Sequence, residues 1–242
     1  MRPLAASIET QPVQARERAL RLTTELDWAS YLPARARGAS WRAQQVIKRV
    51  VDVVAAFVGI IVLSPVLLLV ALLVKVTSPG PVLYRYPVLG YRGRPFTGLK
   101  FRTMVMDAHA RKSDYMQQNE MKGPVFKLRN DPRVTPLGRW LRKYSIDELP
   151  QLWSVVRGDM SLVGPRPPGP DEFAHFDDWQ CGKLAVRPGI TCIWQVSGRS
   201  EISDFDTWAR LDLEYIESWS LALDVILLLR TIPAVISARG AY

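Results

Sequence analysis

The sequence predicts a mixed, helix-rich α/β protein with short strands, built around a helical segment inserted into a membrane. Three observations lead there. Residues 53–74 carry no charge over 22 positions. Residues 78–104 then switch to glycine, proline, aromatic and β-branched residues, the composition of turns and short strands. Near the C-terminus, Trp208, Leu211, Tyr215 and Trp219 recur at spacings of three and four, the period of one helix face. With 242 residues the chain can bury a good core as one domain, and its net charge of +9 suits a phosphorylated ligand, an anionic membrane surface or nucleic acid.

Residues 1–45 are rich in Ala, Arg, Glu and Pro and read as a mobile basic tail, with a short amphipathic helix near residues 15–28. The apolar run begins only after residue 50 and no small-residue cleavage site follows it, so it is no signal peptide. At about 1.5 Å per residue, 22 residues cross a hydrocarbon core of roughly 30 Å. Ser64 and Pro65 sit near the middle of that run, where proline removes a backbone hydrogen bond and leaves two arms each too short to span. Lys48 and Arg49 precede the run, and Lys75, Arg85, Arg92 and Arg94 follow it, so the positive-inside bias puts both ends on the cytoplasmic side. Physics alone leaves a re-entrant hairpin over residues 48–76 and a kinked span equally open. Asp52 belongs at headgroup depth on either reading.

Residues 78–104 read as a hairpin of VLY with PFTGLKF that delivers Lys100 and Arg102 on one face. A polar helix over 107–120, helical structure over 171–184 and a turn-strand-turn over 187–200 ending in Arg199 follow. From Asp204 the aromatic stripe marks a helix that is either core or interfacial. Cys181 and Cys192 lie in no Cys/His cluster, so both read as reduced thiols rather than zinc ligands.

The densest chemistry lies in residues 131–167. There Asp147 and Glu148 sit among Arg133, Arg139, Arg142, Lys143, Arg157 and Arg166. Ser145-Ile-Asp-Glu also fits a capping box, the better reading on the local pattern alone. The flanking cations reverse the balance. A carboxylate approaching a diphosphate meets a repulsion of about 4 kcal/mol at 4 Å and an effective dielectric of 20. Lys100, Arg102, Arg142 and Arg166 offset it, and a hard divalent cation on one or two carboxylates would add to them. Arg166, held between two prolines, offers its fork to phosphate with little entropy left to lose. Asp147 can therefore act as nucleophile, with Glu148 as metal ligand or base.

KRVVDVV, LSP, SPGPVLYR, GRPFTGLKFRTM, DPRVTPLGRWLRKYSIDELPQLWSVVRGDMSLVGPRP and RPGITCIWQVSGRS follow one another as in the bacterial sugar transferase family, which the chain resembles from about residue 46 onward. These are the monotopic phosphoglycosyl transferases that begin exopolysaccharide, capsule and O-antigen assembly. The resemblance implies a catalytic domain over 46–242 on the cytoplasmic face of the cell inner membrane, with interfacial helices and a hairpin re-entrant about Ser64 and Pro65. It further implies transfer of a sugar 1-phosphate from a UDP-sugar to undecaprenyl phosphate, with release of UMP and with Mg2+ as cofactor. Asp147 would be the nucleophile and Glu148 its partner at the metal, while Lys100, Arg102, Arg142, Arg166 and Arg199 would bind phosphate or substrate. Tyr86 and Val88 replace the usual Gln and Arg, and Cys192 a usual Gly, which bears on nucleotide or sugar preference. The chain looks like the minimal catalytic form; self-association stays open. The competing reading is a non-catalytic membrane-surface scaffold for polysaccharide assembly. Nucleic-acid binding fits poorly, because the basic residues flank a lipid-compatible segment.

Overall fold

In the computed structural model, which describes residues 23–198, 201–238 and 240, the long helix α1 (Ala39–Thr77) leads into an antiparallel hairpin of β1 (Leu83–Leu89) and β2 (Pro95–Phe101). Helices α2 (Pro136–Lys143) and α3 (Leu152–Arg157) flank a 3-10 turn over Ile146–Gln151. Beyond them β3 (Ser161–Val163) pairs in parallel with β4 (Gly189–Thr191) across the short helices α4 (Pro170–Phe173) and α5 (Asp178–Cys181). Helices α6 (Ile193–Val196), α7 (Phe205–Ser218) and α8 (Leu221–Ser237) close the chain. The polar helix expected over 107–120 is a 3-10 helix, Ala110–Gln118.

Most of the expected N-terminal tail, including most of its amphipathic helix, lies outside the described residues. From Trp28 onward the segment packs on the body. Trp28 is buried beside Phe173, Phe176 and Trp208, Tyr31 donates to the Asp178 carbonyl at 2.7 Å, and Arg35 reaches the Glu217 carbonyl. Residue 45 falls inside α1.

The apolar run is helical on both sides of Ser64 and Pro65, within one continuous element. Pro65 removes the N–H that would bond the Ile61 carbonyl, and the Ser64 hydroxyl replaces it, donating to that oxygen at 2.7 Å. One stripe of α1 faces the body: Asp52, Ala56, Val70 and Val74 are buried. The other face exposes Val54, Phe57, Ile61, Val62, Leu68 and Leu72 by more than half. Fully burying one such side chain contributes about 1.5–3 kcal/mol. Half-exposing six therefore forgoes on the order of 5–10 kcal/mol, comparable with the net stability of a whole domain. The face needs an apolar medium. Helix α8 carries a second such face, with Val225, Leu229, Ile232 and Ile236 exposed while Leu227 packs against Tyr215 and Trp219.

The Asp52 carboxylate, expected at headgroup depth, is enclosed by groups of the protein itself. It is buried, accepting from the Ser161 hydroxyl at 2.7 Å and the Leu162 N–H at 3.1 Å. Lys48 stands between it and Asp224, 3.8 and 2.6 Å away, and also donates to the Val163 carbonyl. Tyr215 and Trp219 donate to Asp224 in turn. This network bolts the start of α1 to β3, α7 and α8. The aromatic stripe of α7 is core, since Trp208, Tyr215 and Trp219 are all buried.

Candidate active site

The far half of α1 organises the acid pair. Leu67, Val70, Ala71 and Val74 pack with Phe101 of β2, Leu141 of α2 and Ile146 of the 3-10 turn. The next residue along the chain from each of these three, or the one before it, is a predicted site residue: Lys100, Arg142 and Asp147. Burying the apolar neighbours on one helix brings the three polar side chains to one place.

Glu148 accepts from Lys100 Nζ at 2.5 Å. Ser145, the expected cap, has a left-handed backbone (φ 53°) and makes no side-chain capping bond, so the capping box does not form. Asp147 is buried; burial pushes its carboxyl above the usual aspartate range, Lys100 and Arg142 pull against that, and Glu148 adds to it. Burial acts most strongly on the Lys100 ammonium and would lower it, but Glu148, Tyr86 and Asp147 together outweigh it and hold the lysine above its ordinary value. Arg142 donates to Thr103 Oγ1 at 2.9 Å and is lowered by burial, against the pull of Asp147.

Lys100, Glu148 and Arg166 line one cavity of about 150 Å³, together with Tyr86, Gln151, Glu172 and Gln195. Burial acts to lower Arg166, but Glu172 and then Glu148 hold its guanidinium above its ordinary value. Pockets that enclose a drug-sized ligand run to roughly 300–1,000 Å³, and this one is smaller. Near Arg166, Lys127 is lowered to about 8 by burial and by Arg166 itself. Deeper, Asp212 forms a buried ion pair with Lys183 at 2.7 Å.

Other predicted cations work elsewhere. Arg102 lies just past the end of β2 and does not join Lys100: its guanidinium donates to the Ser78 carbonyl and hydroxyl, both at 2.7 Å, at the C-terminal end of α1. Gly80, at φ +115°, leaves the space it occupies, because a Cβ there would stand 2.3 Å from Arg102 Nη1. Arg133 is spent on Asp131, at 2.7 Å, and on the Ala108 carbonyl. Arg157 is half-exposed beside Asp159. Arg199 lies outside the described residues. Sequence reading missed Gln151, Glu172 and Gln195 as walls of the cavity, which four separate segments bring together.

A long lipid-compatible helix whose buried stripe positions an acidic pair beside Lys100 and Arg142 is the setting expected of a membrane-associated transferase. The model for bacterial sugar transferases matches residues 43–238, and the chain belongs to that family. It is 43% identical over 199 residues to the exopolysaccharide production protein ExoY of Rhizobium meliloti, covering 81% of this chain and 88% of ExoY. It is 41% identical over 196 residues to the galactosyl transferase CpsE of Streptococcus agalactiae, covering 81% of this chain but 43% of CpsE. To the undecaprenyl-phosphate galactose phosphotransferase of Salmonella typhimurium it is 40% identical over 206 residues, 83% of this chain and 43% of that protein. The chain thus spans less than half the length of the latter two relatives.

Proposed function

We propose that the chain transfers a sugar 1-phosphate from a UDP-sugar to undecaprenyl phosphate at the cytoplasmic face of the inner membrane, through an aspartyl intermediate. The observation that carries this reading is the placement of Asp147 beside Ile146, which packs on α1, with Lys100, Glu148 and Arg166 lining the adjoining cavity. A carboxylate held that close to the membrane helix can meet a water-soluble nucleotide sugar from one side and a lipid phosphate from the other.

The Asp147 carboxylate attacks the phosphorus that bears the sugar. An Asp–O–P bond forms, the bond from that phosphorus to the bridging oxygen breaks, and UMP leaves with the electron pair. A phosphate oxygen of undecaprenyl phosphate then attacks the same phosphorus and displaces the Asp147 carboxylate. Lys100 and Arg166 neutralise the phosphate oxygens. Among the described residues no group of three or more His, Cys, Asp or Glu side chains could hold a metal. Asp147 and Glu148, two hard oxygen donors at neighbouring positions, would be the residues to hold a magnesium, which would supply further charge neutralisation. UMP release across a panel of UDP-sugars, with undecaprenyl phosphate supplied in detergent, tests the reading and names the sugar. No release from any member of the panel would count against it.

In the same assay Arg166→Lys keeps the charge and loses the bidentate fork, so kcat/KM should fall at least tenfold. A change within twofold would reduce Arg166 to a contributor to the general field.

We read α1 as re-entrant rather than spanning. Gly59 lies against Leu152 on the body, and Leu67 packs against the same body with Phe101 and Leu141. Only eight helical steps, about 12 Å, separate those two contacts. A span needs about 20 residues free of a body on one side. Cysteines at the two chain ends should both react with a membrane-impermeant reagent only after the cytoplasmic face is opened; labelling of one end in intact cells would overturn this topology.

A further inference from the structure

Tyr86, on the cavity wall, belongs to a pair of stacked aromatic rings. Tyr86 of β1 lies directly across from Gly98 of β2, and Tyr84 across from Lys100, so all four share one face of the hairpin. The Tyr86 ring lies on Gly98: a Cβ at that glycine would come 2.6 Å from Tyr86 Cζ and 2.9 Å from Cε1. Tyr84 stacks on the ring, with centroids 5.5 Å apart and planes within 8°. With the hydroxyl end of its ring against a bare backbone and a second ring stacked on one face, Tyr86 has little freedom left. Above its face, 5.7 Å from the ring centroid, stands Lys100 Nζ, whose other neighbour is Glu148 at 2.5 Å.

We propose that Tyr86 is a positioning residue: its ring seats the Lys100 ammonium against Glu148, so that the cation meets the phosphate from a fixed point. A lysine ammonium is a compact charge on a flexible stem, and its attraction to an aromatic face strengthens as it is desolvated. That attraction selects one of several rotamers before substrate arrives, the kind of preorganisation on which charge stabilisation in phosphoryl transfer depends. Gly98 is part of the device, since any larger residue there lifts the ring. The inference deepens the phosphoryl-transfer reading of this cavity, and its test does not depend on that reading.

The purified protein in detergent is treated with acetic anhydride in limiting amount, and acetylation of Lys100 is followed by mass spectrometry relative to exposed Lys143 in the same sample. Tyr86→Leu removes the platform and should raise the Lys100:Lys143 ratio at least fivefold, while Tyr86→Phe, which keeps the ring, should bring it back to within twofold of the parent. Gly98→Ala, which displaces the ring without touching Tyr86, should resemble Tyr86→Leu. Where turnover is measured, kcat should follow the same order, falling at least tenfold in Tyr86→Leu and recovering most of that loss in Tyr86→Phe. Unchanged Lys100 labelling in both Tyr86→Leu and Gly98→Ala overturns the proposal. So does a Tyr86→Phe variant as impaired as Tyr86→Leu, which would assign the work to the hydroxyl. Absence of turnover on every UDP-sugar with the labelling pattern intact would sink the proposed reaction and leave the platform standing.

Discussion

Asp147→Asn should form no phosphosugar adduct and lose at least 1,000-fold in transfer, yet melt at the parental temperature or above it. The first half follows from removing the nucleophile while keeping its size. Parent enzyme given the correct UDP-sugar and magnesium, but no lipid phosphate, should release at most about one UMP per site and carry the sugar phosphate on the peptide containing Asp147. The second half follows from burial, which raises the Asp147 carboxyl above its unfolded value. A group raised in this way contributes stability that is fully present below the unfolded pKa and lost as pH rises through the folded one. Asparagine carries no such loss at neutral pH. The same shift sets the acid limb of activity: transfer needs the ionised carboxylate and should fade at a higher pH than an ordinary aspartate would dictate. Direct attack by the lipid phosphate in a ternary complex predicts the contrary, with intersecting initial-rate lines, no adduct and no UMP before lipid is added.

Lys48→Met should be among the most destabilising single changes in the chain. It leaves Asp52 and Asp224, both buried, without the lysine that stands between them. Removing one partner from a buried charge network costs about 3–5 kcal/mol, and for a chain of this size that lowers the melting temperature by roughly 10 °C. Adding Asp224→Asn to Lys48→Met should recover part of the loss, because one stranded charge disappears with it. The comparison is made by thermal unfolding in one detergent. A single variant that melts within 2 °C of the parent would show that the network is not what holds α1 to β3 and α8.

The parts legible in the sequence were those written in one stretch of chain. The apolar run, the hairpin that carries Lys100, the acid pair and the aromatic stripe each announce themselves by period or composition. Strands of three residues, such as β3 and β4, are too short to show alternation, so their parallel pairing was invisible. Cation density near Asp147 also overstated the site. Arg142 and Arg166 do couple to the acid pair, whereas Arg133 holds Asp131, and Arg102 ties down the last turn of α1. Local spacing cannot tell a phosphate ligand from an arginine spent on the fold. Ser145 shows the converse: its left-handed backbone frees Glu148 from capping and turns it toward Lys100, a choice made by tertiary contacts. The re-entrant topology proposed for α1 rests first on the family resemblance, since proline in an apolar run fits both readings.

Helix α1 contributes Ala56 to one apolar cluster, with Val155 and Met160, and Val70 and Val74 to another, with Phe101 and Leu141. Anchor and catalytic module are thus not separable parts. A fragment beginning after Thr77 would strip both clusters of a wall and leave Lys100, Arg142 and Asp147 with no common support. Under the membrane seating proposed above, lipid against the exposed side of α1 would be a component of the enzyme's framework, one residue removed from the proposed nucleophile. Acyl-chain thickness and choice of detergent are accordingly variables of catalysis as well as of solubility.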